Sequence, residues 1–223
     1  MPKVRKILIN IVAAIFILCI PLLLLTSDIR WIANDMNFHR YGFNKYDVSQ
    51  KTGISRQELG DISEGMVKYL NGEAKDSSMN IFTDNEVRHL DDVRNLIRLC
   101  YIIQWAALGY ILIFSITGFI YRRTQFFHSL DMLVAAGSIL SILVIATLAL
   151  AAFIDFNRLF IIFHKLFFTN NLWISSGYLP HIYTEGFFSD AGTVIAITMI
   201  LESLFSALIA GFCVVRRRRM MHQ

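Results

Sequence analysis

Residues 82–121, FTDNEVRHLDDVRNLIRLCYIIQWAALGYILIFSITGFIY, hold a helix start, a histidine between two acids and an apolar run in one stretch. Thr83-Asp84-Asn85-Glu86 has the form of a capping box, in which a Thr hydroxyl and a Glu carboxylate cap each other's backbone N–H. No helix breaker follows before Gly109, so one helix is predicted to run from the box into the apolar residues 99–120. A bilayer core about 30 Å thick takes about 20 apolar residues at about 1.5 Å each, so that run is long enough to span.

Three further apolar runs lie at 7–25, 130–154 and 192–215. Only a helix satisfies its own backbone polar groups within one such segment. The fold class is therefore an all-α membrane protein with four transmembrane helices. The basic clusters Lys3, Arg5 and Lys6, then Arg122 and Arg123, then Arg216 to Arg219 contain no acids and alternate with the spans. By the positive-inside rule both termini are cytoplasmic: 1–6 is the N-terminus, 121–129 a turn and 216–223 a tail. Segments 26–98 and 155–191 then lie outside and build a small extracellular cap. They carry all seventeen acids except Asp131 and Glu202.

The first run starts like a signal peptide, but no small-x-small site follows Leu25, so a permanent anchor is expected. Cys19, Cys100 and Cys213 lie in or beside spans, which implies no disulfide framework. The net charge of +4 comes mainly from the cytoplasmic ends and suits contact with anionic lipid rather than nucleic acid.

Within the first outer segment, residues 27–49 (SDIRWIANDMNFHRYGFNKYDVS) are mixed and aromatic without a clean period. They read as irregular, with one short strand. Ser55-Arg56-Gln57-Glu58 is another capping box, and Leu59, Ile62, Met66, Val67 and Leu70 follow as one apolar helix face ended by Asn71-Gly72.

Two outer histidines have distinctive settings. His89 has Glu86 one turn before it and Asp92 one turn after it. Such acids fix a ring tautomer and favour the imidazolium form; the plainer reading is a solvated polar face. His164 stands in FIIFHKLFFTNNLW (160–173), among Phe160, Phe163, Phe167, Phe168 and Trp173. Aromatics of this density beside a span suggest a segment at headgroup level. An apolar shell keeps imidazole neutral, as a general base requires; the plainer reading is a packed interfacial side chain. Arg88, Asn170 and Tyr178 join Phe163, Phe167, Phe168 and Trp173 as candidate substrate contacts, with nothing in the spacing to rank them. Ten residues of helix from His89 to Leu99 rise about 15 Å. The headgroup zone is only about 5–8 Å deep. His89 therefore reaches a lipid ester only if its helix tilts or the cap lifts the substrate.

Glu202 lies near the middle of the fourth span, with Tyr110 and Thr147 at similar depth, and a protonated Glu202 hydrogen-bonded to one of them is expected. His39 and His181 are also outer but show no matching acid or aromatic setting, and His128 and His222 fall on the cytoplasmic side. Glu86, His89 and His164 lack an HExxH-type spacing, so no metal and no cofactor is expected.

The stretches FTDNEVRHLDDV (82–93), FHKLFFTNNLW (163–173), GFFSDAG (186–192) and TGISRQEL (52–59) resemble the lipoprotein intramolecular transacylase (Lit) family, over nearly the whole chain. The resemblance implies four spans with both termini inside and an enzyme of the outer face of a Gram-positive plasma membrane. It implies transfer of the sn-2 acyl chain of a diacylglyceryl-modified lipoprotein to the α-amino group of its N-terminal cysteine. The family's two essential histidines correspond by motif to His89 and His164. Two other readings stay open: a membrane-surface lipid hydrolase using the same histidines and water, and a membrane sensor whose cap binds another protein.

Overall fold

The structure, a computed structural model, describes residues 2–74 and 80–221. The 75–79 part of the first outer segment and the cytoplasmic placement of His222 lie outside the described residues. Every regular element among the described residues is a helix: α1 (Pro2–Asn34), α2 (Met36–Lys45), α3 (Val48–Thr52), α4 (Arg56–Leu70), α5 (Asp84–Arg122), α6 (Thr124–Ile154), α7 (Phe156–Phe167), α8 (Leu179–Ile182) and α9 (Glu185–Met221). Four of them, α1, α5, α6 and α9, are long and apolar enough to cross a membrane. Trp105, Ile113, Ile116 and Ile120 of α5 are all exposed, the pattern of a helix whose outward side meets lipid rather than water.

The chain forms two compact units, and the four long helices contribute to both. The first comprises Met1–Asp28, Ile102–Leu148 and Ile195–Gln223. Here Phe114 packs on Phe16 at 4.7 Å and on Phe126 at 5.6 Å between ring centroids. Gly137 lets α6 close on α1, since a Cβ there would collide with Ile20. The expected partners of Glu202 are occupied elsewhere. Tyr110 donates to the Val12 carbonyl at 2.8 Å, and Thr147 donates one turn back to Leu143 at 2.7 Å. A hydroxyl inside a helix finds a backbone acceptor more readily than a distant carboxyl.

The second unit comprises Ile29–Tyr101 and Ala149–Val194. Its core is made by Phe43, Val48, Ile54, Leu59, Met66, Tyr69, Phe82, Leu90, Ile182, Tyr183 and Phe187. Each such side chain, fully buried, contributes about 1.5–3 kcal/mol before entropy is counted. Ser55 caps α4 as its box predicts, accepting from the Glu58 N–H at 3.2 Å. The buried face of α4 is Leu59, Ser63, Met66 and Tyr69, rotated from the apolar stripe because Ser63 belongs to it.

Residues 27–49 are helical rather than irregular, and no strand occurs among the described residues. Asp35 caps α2 by accepting from Asn37 N–H, and the buried face of α2 is His39, Gly42 and Phe43. Two of those three residues carry no apolar signal, which hides the helical period. Gly42 is needed at that spot, because a Cβ would enter the Phe187 ring. His39 does have an aromatic setting: Tyr183 and Phe187 lie 5.7 and 5.6 Å away, and Phe43 at 6.4 Å. Tyr183 and Phe187 come from a distant part of the chain, so no local motif announces them.

Candidate active site

His89 and His164 meet. Their ring centroids are 5.9 Å apart, and both residues are 7% exposed. His89 stands on α5, ten residues ahead of the apolar run 99–120, and His164 in the last turn of α7.

The capping box starts α5 as predicted: Glu86 accepts from the Thr83 N–H at 2.9 Å and from the Thr83 hydroxyl at 3.1 Å. Its other oxygen accepts from the Ser175 hydroxyl at 2.9 Å and the Leu179 N–H at 2.8 Å. Glu86 is fully buried, and hydrogen bonds to a charged group, worth about 1.5–3 kcal/mol each, are what offset its desolvation. Gly177 makes room for it, since a Cβ there would collide with the carboxylate. Asp92 accepts from the Asn170 amide at 2.8 Å, and Asn170 in turn accepts from the Leu172 N–H at 3.0 Å.

The two acids that flank His89 in sequence therefore hold the 168–178 loop from both sides. The described hydrogen bonds of Glu86 and Asp92 go to that loop and to Thr83, and none goes to the imidazole. Ser175 and Gly177 were not legible as part of this arrangement. The only signal was that a Glu already used by a capping box has a second oxygen to satisfy.

The loop carries Trp173, whose ring lies 4.8 Å from His164. Phe160 at 4.1 Å, with Phe163 and Phe168 at 5.5 Å, completes the shell around that imidazole. Phe168 also meets His89 edge-on at 4.9 Å. Phe168 is buried, whereas Phe163, Phe167 and Tyr178 are exposed, and so is Arg88. Along α7 the exposed apolar residues Ile162, Phe163, Leu166 and Phe167 surround the one buried side chain, His164.

Burial outweighs charge at both rings. Desolvation, then the neighbouring His164, hold His89 down at about 4, and the opposing pull of Asp92 is smaller. Asp92 thus favours an imidazolium, as a flanking acid should, but burial overrides it. Desolvation also lowers His164, against the raising effect of its hydrogen bond to Phe160. Nδ1 of His164 is 2.8 Å from the Phe160 carbonyl, which can only accept, so Nδ1 carries the proton. In the neutral ring Nε2 then bears the free lone pair, the atom through which an imidazole can accept a proton. Nδ1 of His89 and Nε1 of Trp173 are buried with no hydrogen-bond partner among the described residues. No group of three or more His, Cys, Asp or Glu suited to a metal ion occurs among the described residues.

The family model described as lipoprotein intramolecular transacylase Lit matches residues 14–188. No curated protein matches the chain. Among solved structures, the membrane integral lipoprotein intramolecular transacylase Lit from Bacillus cereus superposes with a TM-score of 0.80 at 18% identity, covering 95% of this chain and 97% of its own. Two variants of that protein, with one histidine changed to alanine or to arginine, give TM-scores of 0.77 and 0.76 at 17% identity. Each covers 98% of this chain, and 98% and 97% of its own.

Proposed function

Because the chain belongs to the lipoprotein intramolecular transacylase family, we propose that it transfers the sn-2 acyl chain of a diacylglyceryl-cysteine lipoprotein to the α-amino group of that cysteine. The product is a lyso-form lipoprotein bearing an N-acyl chain. The substrate lies in the outer leaflet of the plasma membrane. Spans 7–25, 99–120, 130–154 and 192–215 anchor the enzyme with both termini inside. Segments 26–98 and 155–191 form its extracellular cap.

The observation that carries this reading is the buried, uncharged histidine pair with the proton of His164 fixed on Nδ1. Aminolysis of an ester needs a base for the amine proton and donors for the oxyanion. In the proposed reaction the amine nitrogen attacks the ester carbonyl carbon, and Nε2 of His164 takes the proton that the new C–N bond releases. His89 stabilises the tetrahedral oxyanion or relays a proton. The C–O bond to the glyceryl oxygen then breaks, and that oxygen leaves as a hydroxyl with the proton His164 had taken. Nothing is gained or lost overall, so substrate and product have one mass. Nucleophile and ester share one molecule, so holding them in register replaces a bimolecular encounter.

The exposed apolar residues Ile162, Phe163, Leu166 and Phe167 fit a helix lying at the lipid surface, which would bring His164 to the ester. Phe163, Phe167, Arg88, Asn170 and Tyr178 are assigned to substrate contact, and Glu86 and Asp92 to support of the site through the loop. No cofactor is assigned. The test is mass spectrometry of a diacylglyceryl lipopeptide incubated with the purified protein. An unchanged mass with one chain moved to the amine supports transacylation. Release of free fatty acid would make the protein a hydrolase instead.

A further inference from the structure

Trp173 has a role that its sequence context does not reveal. Its indole nitrogen is buried without a hydrogen-bond partner among the described residues, and so is Nδ1 of His89. The indole nitrogen belongs to a ring only 4.8 Å from His164, and His89 is 5.9 Å from the same imidazole. Both unsatisfied nitrogens therefore belong to rings that neighbour His164. Leaving one such group unpaired carries a desolvation cost. The surrounding structure does not avoid that cost: Glu86 and Asp92 pin both sides of the loop and hold the indole in place. Elsewhere in this unit the buried polar atoms of His39 and Ser63 find partners at 2.7 Å, so the unit is able to satisfy such groups.

An indole N–H donates and never accepts. What it is built to meet is consequently an acceptor, and among the reacting atoms the amine and the leaving oxygen already have His164 as their proton carrier. The remaining oxygen of the reaction is the carbonyl that becomes an oxyanion. We infer that Trp173 is a catalytic residue, donating its Nε1–H to the acyl carbonyl oxygen as negative charge develops on it during transfer. The tilted ring against His164 excludes water while its N–H supplies a fixed donor, and a donor fixed beforehand needs no reorganisation in the transition state.

This inference rests on the transacylase reading, and the experiment separates the two. The full chain in detergent is assayed with a diacylglyceryl lipopeptide as wild type, as Trp173→Phe, and with benzothienylalanine at position 173. The last keeps the shape of the ring and replaces its N–H by sulfur. The expected result is a fall in kcat of about 10²–10³ in both replacements, the usual cost of one oxyanion donor. KM and the melting temperature should stay near wild type. A kcat within about threefold of wild type for the sulfur analogue overturns the role of Trp173 and leaves the transacylase reading standing. A raised KM with unchanged kcat also overturns it, because the contact is then made equally with the bound substrate. A wild-type protein that transfers no acyl chain overturns both.

Discussion

Two buried histidine clusters lie in the same unit, and they are finished differently. Around His39 every ring nitrogen is matched. Ser63 is 2.7 Å from Nδ1, Tyr183 is 3.2 Å from it, and Nε2 faces the Ala33 carbonyl at 3.3 Å. Around His89 and His164 the aromatic walls are just as dense, yet Nδ1 of His89 and Nε1 of Trp173 are left without partners. Both clusters push their imidazoles toward neutrality by burial. A lowered pKa therefore does not separate the two clusters. What separates them is whether hydrogen-bonding capacity is used up by the protein or, on the proposed reading, kept for a substrate.

The largest effect that tests this contrast comes from exchanging the two kinds of histidine for alanine. His164→Ala and His89→Ala are each expected to lower acyl transfer by about 10²–10⁴, the range for loss of a positioned acid or base. Folding should change little by comparison. His39→Ala should do the reverse. It removes the partner Ser63 meets at 2.7 Å and leaves only the long 3.3 Å contact between the Tyr183 and Ser63 hydroxyls, costing about 1–3 kcal/mol, while folded protein keeps its kcat. Parallel melting curves and lipopeptide turnover read both. Loss of kcat in the His39 variant at full folding would erase the distinction.

The next effect concerns the tie that builds the open cluster. In Glu86→Gln an amide NH₂ must face either the Thr83 donors or the Ser175 and Leu179 donors, where the carboxylate accepts from all of them. The expected loss is about 1–3 kcal/mol of stability, with a fall in turnover as Trp173 loses its seat. Asp92→Asn, which can still accept from Asn170, should be milder than Asp92→Ala. Equal losses in the two Asp92 variants would show that charge rather than loop placement is what Asp92 supplies.

Much of this was legible in the sequence, and the limits have physical causes. Hydropathy marks the spans because lipid imposes a length and forbids unsatisfied backbone, so α1, α5, α6 and α9 stand out. The Thr83–Glu86 box forms with both halves and Ser55 caps α4 through Glu58 N–H, since each is local chemistry within four residues. Helix α2 was hidden because its buried face is His39, Gly42 and Phe43, chosen for a hydrogen-bond cluster and a close approach rather than for hydrophobicity. His89 and His164 could be named from their settings, but the use of Glu86 could not. Its partners Ser175 and Leu179 are 89 and 93 residues away, and only folding reveals that the acid flanking His89 serves the loop.

The pH dependence sharpens the comparison at an intermediate scale. His89 is held at about 4 against an ordinary 6.5. Between those values the unfolded chain binds a proton that the folded chain does not. Its contribution to stability is thus complete above 6.5 and is lost as pH falls toward 4. The same shift predicts the activity profile. Log kcat/KM should rise with slope one up to the α-amino pKa of about 8, because only the free amine attacks. The slope should steepen only near 4, where His89 protonates. Steepening at 6.5 would show that the site is more hydrated than its burial implies.

The smallest effect is expected at the edge of the closed cluster. Tyr183→Phe removes a hydroxyl that reaches His39 at 3.2 Å and Ser63 at 3.3 Å, both long contacts. The 2.7 Å bond between Ser63 and His39 remains, so no nitrogen is stranded. The expected cost is about 0.5–1.5 kcal/mol, that of one ordinary hydrogen bond, with acyl transfer unchanged. A double-mutant cycle with Ser63→Ala should return a coupling near 0.5 kcal/mol, at the low end for residues in one network. A much larger coupling would mean that the cluster acts as a strained unit. A loss of kcat would mean that it communicates with the histidine pair, and its complete set of partners would no longer mark it as structural.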